Sequence, residues 1–253
     1  MTRPVALVTG ARRGIGRAIG VALAKAGHDL AFTDIVEDEA VDEAQRAFET
    51  EGAAALFLRH DVTALDSHEA LIAAVVTRFG RLDCFVSNAG IGTPVRGDML
   101  DLAPATFDLV LGVNARGAAF LSQAAAKAML AGAGAARSII FVTSVSADMV
   151  SPERADYCVS KAALSMWAKN LAVRLAADGI GVFEVRPGVI RTDMTAGVAA
   201  KYDDRIAGGL VPAARWGEGE DVGRVVAGLA SGAFGFATGS VLACDGGLSI
   251  PRL

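Results

Sequence analysis

Cysteine, proline, tyrosine and tryptophan are all scarce in this chain of 253 residues, which holds 3 Cys, 7 Pro, 2 Tyr and 2 Trp. Three cysteines, Cys84, Cys158 and Cys244, are an odd number without metal-ligand spacing. They argue against a disulfide framework or a bound metal and read as fillers of strands and helices. No Pro/Ser-rich linker and no internal repeat divides the chain, so a single domain over residues 1–253 is expected. Charge is nowhere concentrated: 24 basic and 28 acidic residues give a net charge of −4, and the pI is about 5.4. Without a Lys/Arg cluster interleaved with aromatics, nothing could neutralise a row of phosphates, and nucleic acid is not an expected partner. Apolar stretches are broken by Gly, Arg or Asp well before the ~18 residues a membrane span needs. Met1-Thr2-Arg3-Pro4 runs straight into Val5-Ala6-Leu7-Val8, leaving no room for a cleavable leader, and a cytoplasmic location is expected.

What is present is an alternation of short apolar runs with helical patterns. Strands are expected near 5–9, 29–33, 55–59, 83–87, 138–143, 181–185 and 241–244. Near-continuous apolar runs such as Ser138-Ile139-Ile140-Phe141-Val142 suit strands buried on both faces. Seven such strands alternating with helices predict a doubly wound α/β fold with a parallel sheet and helices on both faces. Gly132-Ala133-Gly134 reads as a flexible helix-to-strand connection. The long irregular stretch from about Thr192 to Gly217, with Gly208-Gly209 and Pro212, follows a strand end and is expected to form a substrate lid.

The first strand ends in Thr9-Gly10-Ala11-Arg12-Arg13-Gly14-Ile15-Gly16, and a helical pattern from Arg17 to Ala26 follows at once. Strand, glycine loop and helix make a phosphate-binding arrangement. Gly10 permits the tight turn, Gly14 lets the backbone approach a pyrophosphate, and Gly16 allows close helix packing. Asp34, at the end of the second strand, would accept from the adenosine ribose hydroxyls and repel a 2′-phosphate, which favours NAD over NADP. Arg13 argues in the other direction, and Asp34 is expected to prevail.

Tyr157 and Lys161, four apart, would share one face of a helix, with Ser144 thirteen positions upstream. A neighbouring ammonium favours the phenolate, so the pair can exchange a proton with an alcohol or carbonyl whose oxygen Ser144 holds.

Taken together, these motifs resemble the short-chain dehydrogenase/reductase family almost from end to end. Thr9 to Gly16 matches its T-G-x-x-x-G-x-G loop. Ser87-Asn88-Ala89-Gly90 is similar to its N-N-A-G, with Ser87 replacing the first Asn. Asn114, Ser144, Tyr157 and Lys161 fall where its catalytic tetrad falls, and Pro187-Gly188 and Asp245-Gly246-Gly247 also fit. The resemblance implies a Rossmann-type fold and hydride transfer between nicotinamide and substrate carbon, with Tyr157 as general acid/base. Lys161 would also hold the nicotinamide ribose, and the main-chain carbonyl of Asn114 would hold a water leading from Lys161 to solvent. It further implies cofactor contacts by Ile15, Asn88, Ala89 and Gly90, by Pro187, Gly188, Ile190 and Thr192, and by Asp61 and Val62 at the adenine. Asp61 could equally cap the next helix, and Thr192 or Asp193 could cap the lid helix.

Relatives are usually tetramers or dimers, and the helices over 107–130 and 157–177 carry enough apolar residues for a second buried face. The substrate is expected to be a secondary alcohol or ketone. An NADPH-dependent 3-oxoacyl thioester (acyl-carrier-protein) reductase and a non-catalytic NAD sensor are the alternatives. Arg96, Asp148, Glu153 and Arg154 could reach a substrate or belong to the surface.

Overall fold

The computed structural model describes residues 3–132, 136–197 and 199–252. Of the expected 132–134 connection, residues 133 and 134 lie outside that set. In chain order the elements are β1 (Val5–Thr9), α1 (Gly14–Lys25), β2 (Asp29–Asp34), α2 (Glu39–Thr50), β3 (Ala55–Arg59), α3 (His68–Phe79), β4 (Cys84–Ser87) and α4 (Pro104–Leu111). They continue with α5 (Ala118–Ala131), β5 (Arg137–Val142), α6 (Ala155–Leu175), β6 (Ile180–Pro187), α7 (Asp193–Ala196), α8 (Ala199–Ala207), α9 (Gly219–Ala230) and β7 (Val241–Cys244). The strands form one parallel sheet in the order β3-β2-β1-β4-β5-β6-β7.

Period-two alternation divides each apolar strand between two cores. Val5, Leu7, Phe85, Ile139 and Phe141 meet α3, α5 and α6 on one face. Ala6, Val8, Val86, Ile140 and Val142 meet α1, α2 and α9 on the other. Both faces being covered explains why the strand sequences read as nearly unbroken hydrophobic runs.

Strand order reverses between β1 and β4, and in open α/β sheets that switch point opens a crevice beyond the carboxyl ends of the strands. Every segment singled out in the sequence leaves the sheet at that edge. The glycine loop follows β1 and Asp34 ends β2. Asp61-Val62 follows β3, Asn88 to Gly90 follow β4, Ser144 follows β5, and Gly188 follows β6.

The stretch expected to be irregular after Thr192 is partly helical. α7 and α8 hold it, and Ile206, Val211 and Trp216 form a small core of their own with Tyr202 and Leu210 packed on it. The Trp216 indole donates to Asp203 at 2.7 Å. Among the described residues, no helix is long and apolar enough to cross a membrane.

Candidate active site

Gly10 and Gly14 adopt φ of +64° and +56°, the left-handed region that glycine alone enters without strain. Asn88 ties the loop after β4 to this turn by donating from Nδ2 to the carbonyls of Thr9 and Gly10 at 2.9 and 3.1 Å. Thr9 Oγ1 in turn accepts from the N–H of Asn88 and of Ala89, both at 3.0 Å. Ser87 in place of an asparagine leaves this turn intact. At Gly16 an added Cβ would stand 2.1 Å from the Gly10 carbonyl oxygen and 2.6 Å from Asn88 Nδ2. Backbone cannot retreat there, so Gly16→Ala is expected to abolish dinucleotide binding and lower the melting temperature by several degrees. Nicotinamide fluorescence titration and a thermal melt check this, and normal binding would show that the loop is not built as described.

The helix that opens after this loop is fitted to an anion. α1 begins at Arg13 without a side-chain cap and has no acidic residue in its first turn, whereas Asp38 caps α2 by accepting from Ala40. The first N–H groups of α1 are thus left free of side-chain acceptors at the positive end of the helix.

Across the cleft, Ser144 ends the run after β5 and its hydroxyl accepts from the Ser146 N–H at 3.1 Å. Lys161 is only 4% exposed, and its ammonium donates to the Val142 carbonyl at 3.2 Å. It also stands 5.7 Å from the Tyr157 ring centroid. Arg154 lies at 5.5 Å from the same ring, so two cations flank it. Burial pushes the Tyr157 hydroxyl above its ordinary value, while its hydrogen bond with Ser144 and the Arg154 charge pull it part of the way back. This corrects the sequence expectation, in which the lysine alone set the sign. Burial also depresses the Lys161 ammonium to about 8, against the restoring charge of Glu184.

Asn114, fully buried, sits in a wide π turn over Gly112–Gly117 that joins α4 to α5. Such turns loosen the regular helical ladder and recur at functional positions. The Asn114 amide clasps the loop after β4, accepting from the Ile91 N–H at 2.8 Å and donating to the Ile91 carbonyl at 2.9 Å, and it reaches Ser160 Oγ at 3.1 Å. Gly117 lets the turn approach closely, since a Cβ there would lie 2.5 Å from the Val62 carbonyl oxygen.

Comparison with known proteins gives this geometry its context. A family model described as enoyl-(acyl carrier protein) reductase matches residues 10–249. The chain is 36% identical to cis-4-hydroxycyclohexanecarboxylate dehydrogenase of Sinomonas cyclohexanicum, over 96% of this chain and 95% of that one. It is 33% identical to a 3-oxoacyl-[acyl-carrier-protein] reductase of Staphylococcus aureus, over 96% and 97%. A crystal structure of a 3-oxoacyl-[acyl-carrier protein] reductase from Brucella melitensis in complex with NAD superposes with a TM-score of 0.96 at 55% identity, covering all of both chains. The chain is a short-chain dehydrogenase/reductase. As a member of that family it is an oxidoreductase acting on CH–OH and keto groups with a nicotinamide dinucleotide.

The other segments that the family resemblance singled out meet around the same crevice. Ile190 is buried at the base of the lid, bridged to Gly217. Thr192 caps α7 in a reciprocal pair with Thr195. Asp61 closes a local turn by accepting from the Thr63 N–H and hydroxyl, both at 2.8 Å, and does not cap α3. Arg13 turns toward the lid and pairs with Asp193 at 3.0 Å. Of the four uncertain residues, Asp148 pairs with Arg186 and Glu153 with Lys201 of α8 at 3.9 Å. Arg96 is exposed, while half-buried Arg154 is the one drawn to Tyr157.

Sequence reasoning passed over two groups. Glu184, buried in β6, accepts from Thr143 at 2.6 Å, Ser165 at 2.7 Å and Arg186 at 2.7 Å, and its charge acts on Lys161. Charged residues at i and i+2 of a buried strand were the available signal. Arg12, next to Arg13, lies between Asp34 and Asp38.

Proposed function

We propose that this chain is an NAD-dependent dehydrogenase/reductase of secondary alcohols and ketones in which Tyr157 exchanges the proton with the substrate oxygen. The observation that carries the reading is half-buried Tyr157, its hydroxyl beside Ser144 and its ring flanked by Lys161 and Arg154 at the sheet's switch-point edge. When bound, the nicotinamide supplies or accepts the hydride. Gly10, Gly14, Ile15 and Gly16 would receive the pyrophosphate against the first turn of α1. Asp34 would receive the adenosine ribose, and Asp61 and Val62 would flank the adenine. Asn88, Ala89 and Gly90 would line the crevice floor, with Pro187, Gly188, Ile190 and Thr192 on its nicotinamide side. Ser144 orients and polarises the substrate oxygen by hydrogen bonding, which steadies negative charge as it develops. Lys161 would hold the nicotinamide ribose and favour the phenolate, and Asn114 would keep the proton path from Lys161 in place. The segment 192–217 would close over the substrate.

The NAD preference rests on charge. Asp34, with Asp38 four residues on, would present carboxylates to a 2′-phosphate, while Arg12 is held between them and Arg59 donates to the Ile35 carbonyl at 3.1 Å. Arg13, the sequence's main argument for NADP, is occupied by Asp193. Reduction of 3-oxoacyl thioesters is a second reading, favoured by the Brucella melitensis protein named as such a reductase and crystallised with NAD. A side-by-side titration with NADH and NADPH, repeated with Asp34→Ala, tests the preference. NADH should bind at least tenfold tighter, and the substitution should erode that margin. A wild-type preference for NADPH would overturn the NAD assignment.

The chain is further proposed to work as a cytoplasmic homodimer or homotetramer. All three cysteines are free thiols, and Leu109, Phe120, Leu130, Met166 and Val173 expose apolar surface on α4, α5 and α6. Size-exclusion chromatography with light scattering should report a dimer or tetramer, and a clean monomer would contradict it.

A further inference from the structure

We infer that Arg12 is a latent 2′-phosphate receptor, held out of use between Asp34 and Asp38, so that this carboxylate pair excludes NADP(H) by restraining a cation as well as by repulsion. The inference rests on the reading of Asp34 as the ribose carboxylate. Arg12 is 8% exposed, and its Nε lies 3.6 Å from Asp34 Oδ1 while Nη1 donates to Asp38. At 3.6 Å the Asp34 contact is an ion pair without a hydrogen bond. Nε is accordingly a buried donor with no hydrogen-bond partner. An unspent donor costs stability unless something accepts from it. It faces the very carboxylate that would meet the ribose.

Arg59, the neighbour of Asp34 in β3, donates from Nε to the Ile35 carbonyl at 3.1 Å, and Arg12 is held by the two carboxylates, so an incoming 2′-phosphate meets Asp34 and Asp38 with no guanidinium turned to receive it. Neutralising both carboxylates removes that repulsion and frees a planar, multi-donor guanidinium suited to a phosphate. Arg13 is turned the other way, its exposed side chain paired with Asp193 on the lid at 3.0 Å.

The test is a set of variants read by NADH and NADPH fluorescence titration, with adenosine 2′,5′-bisphosphate as a competitor that isolates the 2′-phosphate. Asp38→Asn keeps a side chain able to cap α2. Asp34→Ser should tighten NADPH binding, and Asp34→Ser/Asp38→Asn should tighten it further, by about 10–100-fold in all. Adding Arg12→Gln should return most of that gain, Arg12→Lys should return part of it, and Arg13→Gln should leave it in place. A thermal melt within a few degrees of wild type reports that each variant is folded, since NADH binding itself is expected to weaken wherever Asp34, the ribose carboxylate, is replaced. Where Arg12→Gln fails to fold, Arg12→Lys decides: a gain kept in full contradicts a receptor that depends on the guanidinium fork. A gain that survives Arg12→Gln, or one abolished by Arg13→Gln, overturns the inference. A wild-type preference for NADPH would instead sink the reading of Asp34, so the two failures are distinguishable.

Discussion

Tyr157→Phe is expected to lower turnover by about 10²–10⁴-fold while NADH binds within a few-fold of wild type. The substitution removes one oxygen and keeps the ring, whose contacts with Arg154 and Lys161 hold it at the head of α6. Without the hydroxyl, the group hydrogen-bonded with Ser144 that exchanges the proton is gone. Lys161 lies 5.7 Å and Arg154 5.5 Å from the ring centroid, so both flank the ring and do not replace the hydroxyl at its end. Steady-state rates in both directions and a binding titration separate the two effects. Unchanged turnover would remove Tyr157 from the chemistry, and unchanged turnover of every variant in the group would favour a binding role for the whole chain.

The second large effect joins stability to function in opposite directions. Lys161→Met should reduce turnover by orders of magnitude and yet raise the melting temperature at pH 7. Burial lowers the folded-state value to about 8, below the ordinary lysine value of 10.5, so the charged ammonium destabilises the fold at neutral pH. Removing the charge lifts a cost on the order of 3 kcal/mol, offset by about 1 kcal/mol for the lost hydrogen bond to Val142. The remainder corresponds to roughly 4–8 °C in a chain of this size. The sign of the pH dependence follows from proton counting. Between about 8 and 10.5 the folded chain binds fewer protons than the unfolded one, so wild-type stability gains on the variant as pH rises through that window. Calorimetry at pH 7 and pH 10 measures this, and a variant less stable than wild type at pH 7 would show that Glu184 already neutralises the penalty.

The fold was legible because burial on both faces writes itself into strands as unbroken apolar runs, and the seven expected strands appear within a residue or two of their places. The glycine loop was legible for a different reason: close backbone contact at Gly16 admits no other residue, so the constraint is carried by single letters. What remained hidden depends on tertiary surroundings. The π turn at Gly112–Gly117 arises from packing against Val62 and the loop at Ile91, and two glycines five residues apart do not announce it. The lid helices owe their order to Trp216 meeting Tyr202 and Asp203, residues distant in the sequence. The Tyr157 acidity was misjudged because a pair four apart on a helix displays the cation and says nothing of desolvation. Arg12 was overlooked since its meaning lies in Asp34 and Asp38, more than twenty positions away.

The role of Tyr157 as proton acceptor is tested most directly by the pH dependence of single-turnover alcohol oxidation, with a primary deuterium isotope effect confirming that hydride transfer limits the rate. Because burial raises the Tyr157 value, the rate should climb with pH into the alkaline range as the phenol deprotonates, and Tyr157→Phe should flatten the profile. A flat wild-type profile from mildly acidic to alkaline pH, with the isotope effect fully expressed, would contradict Tyr157 as the base.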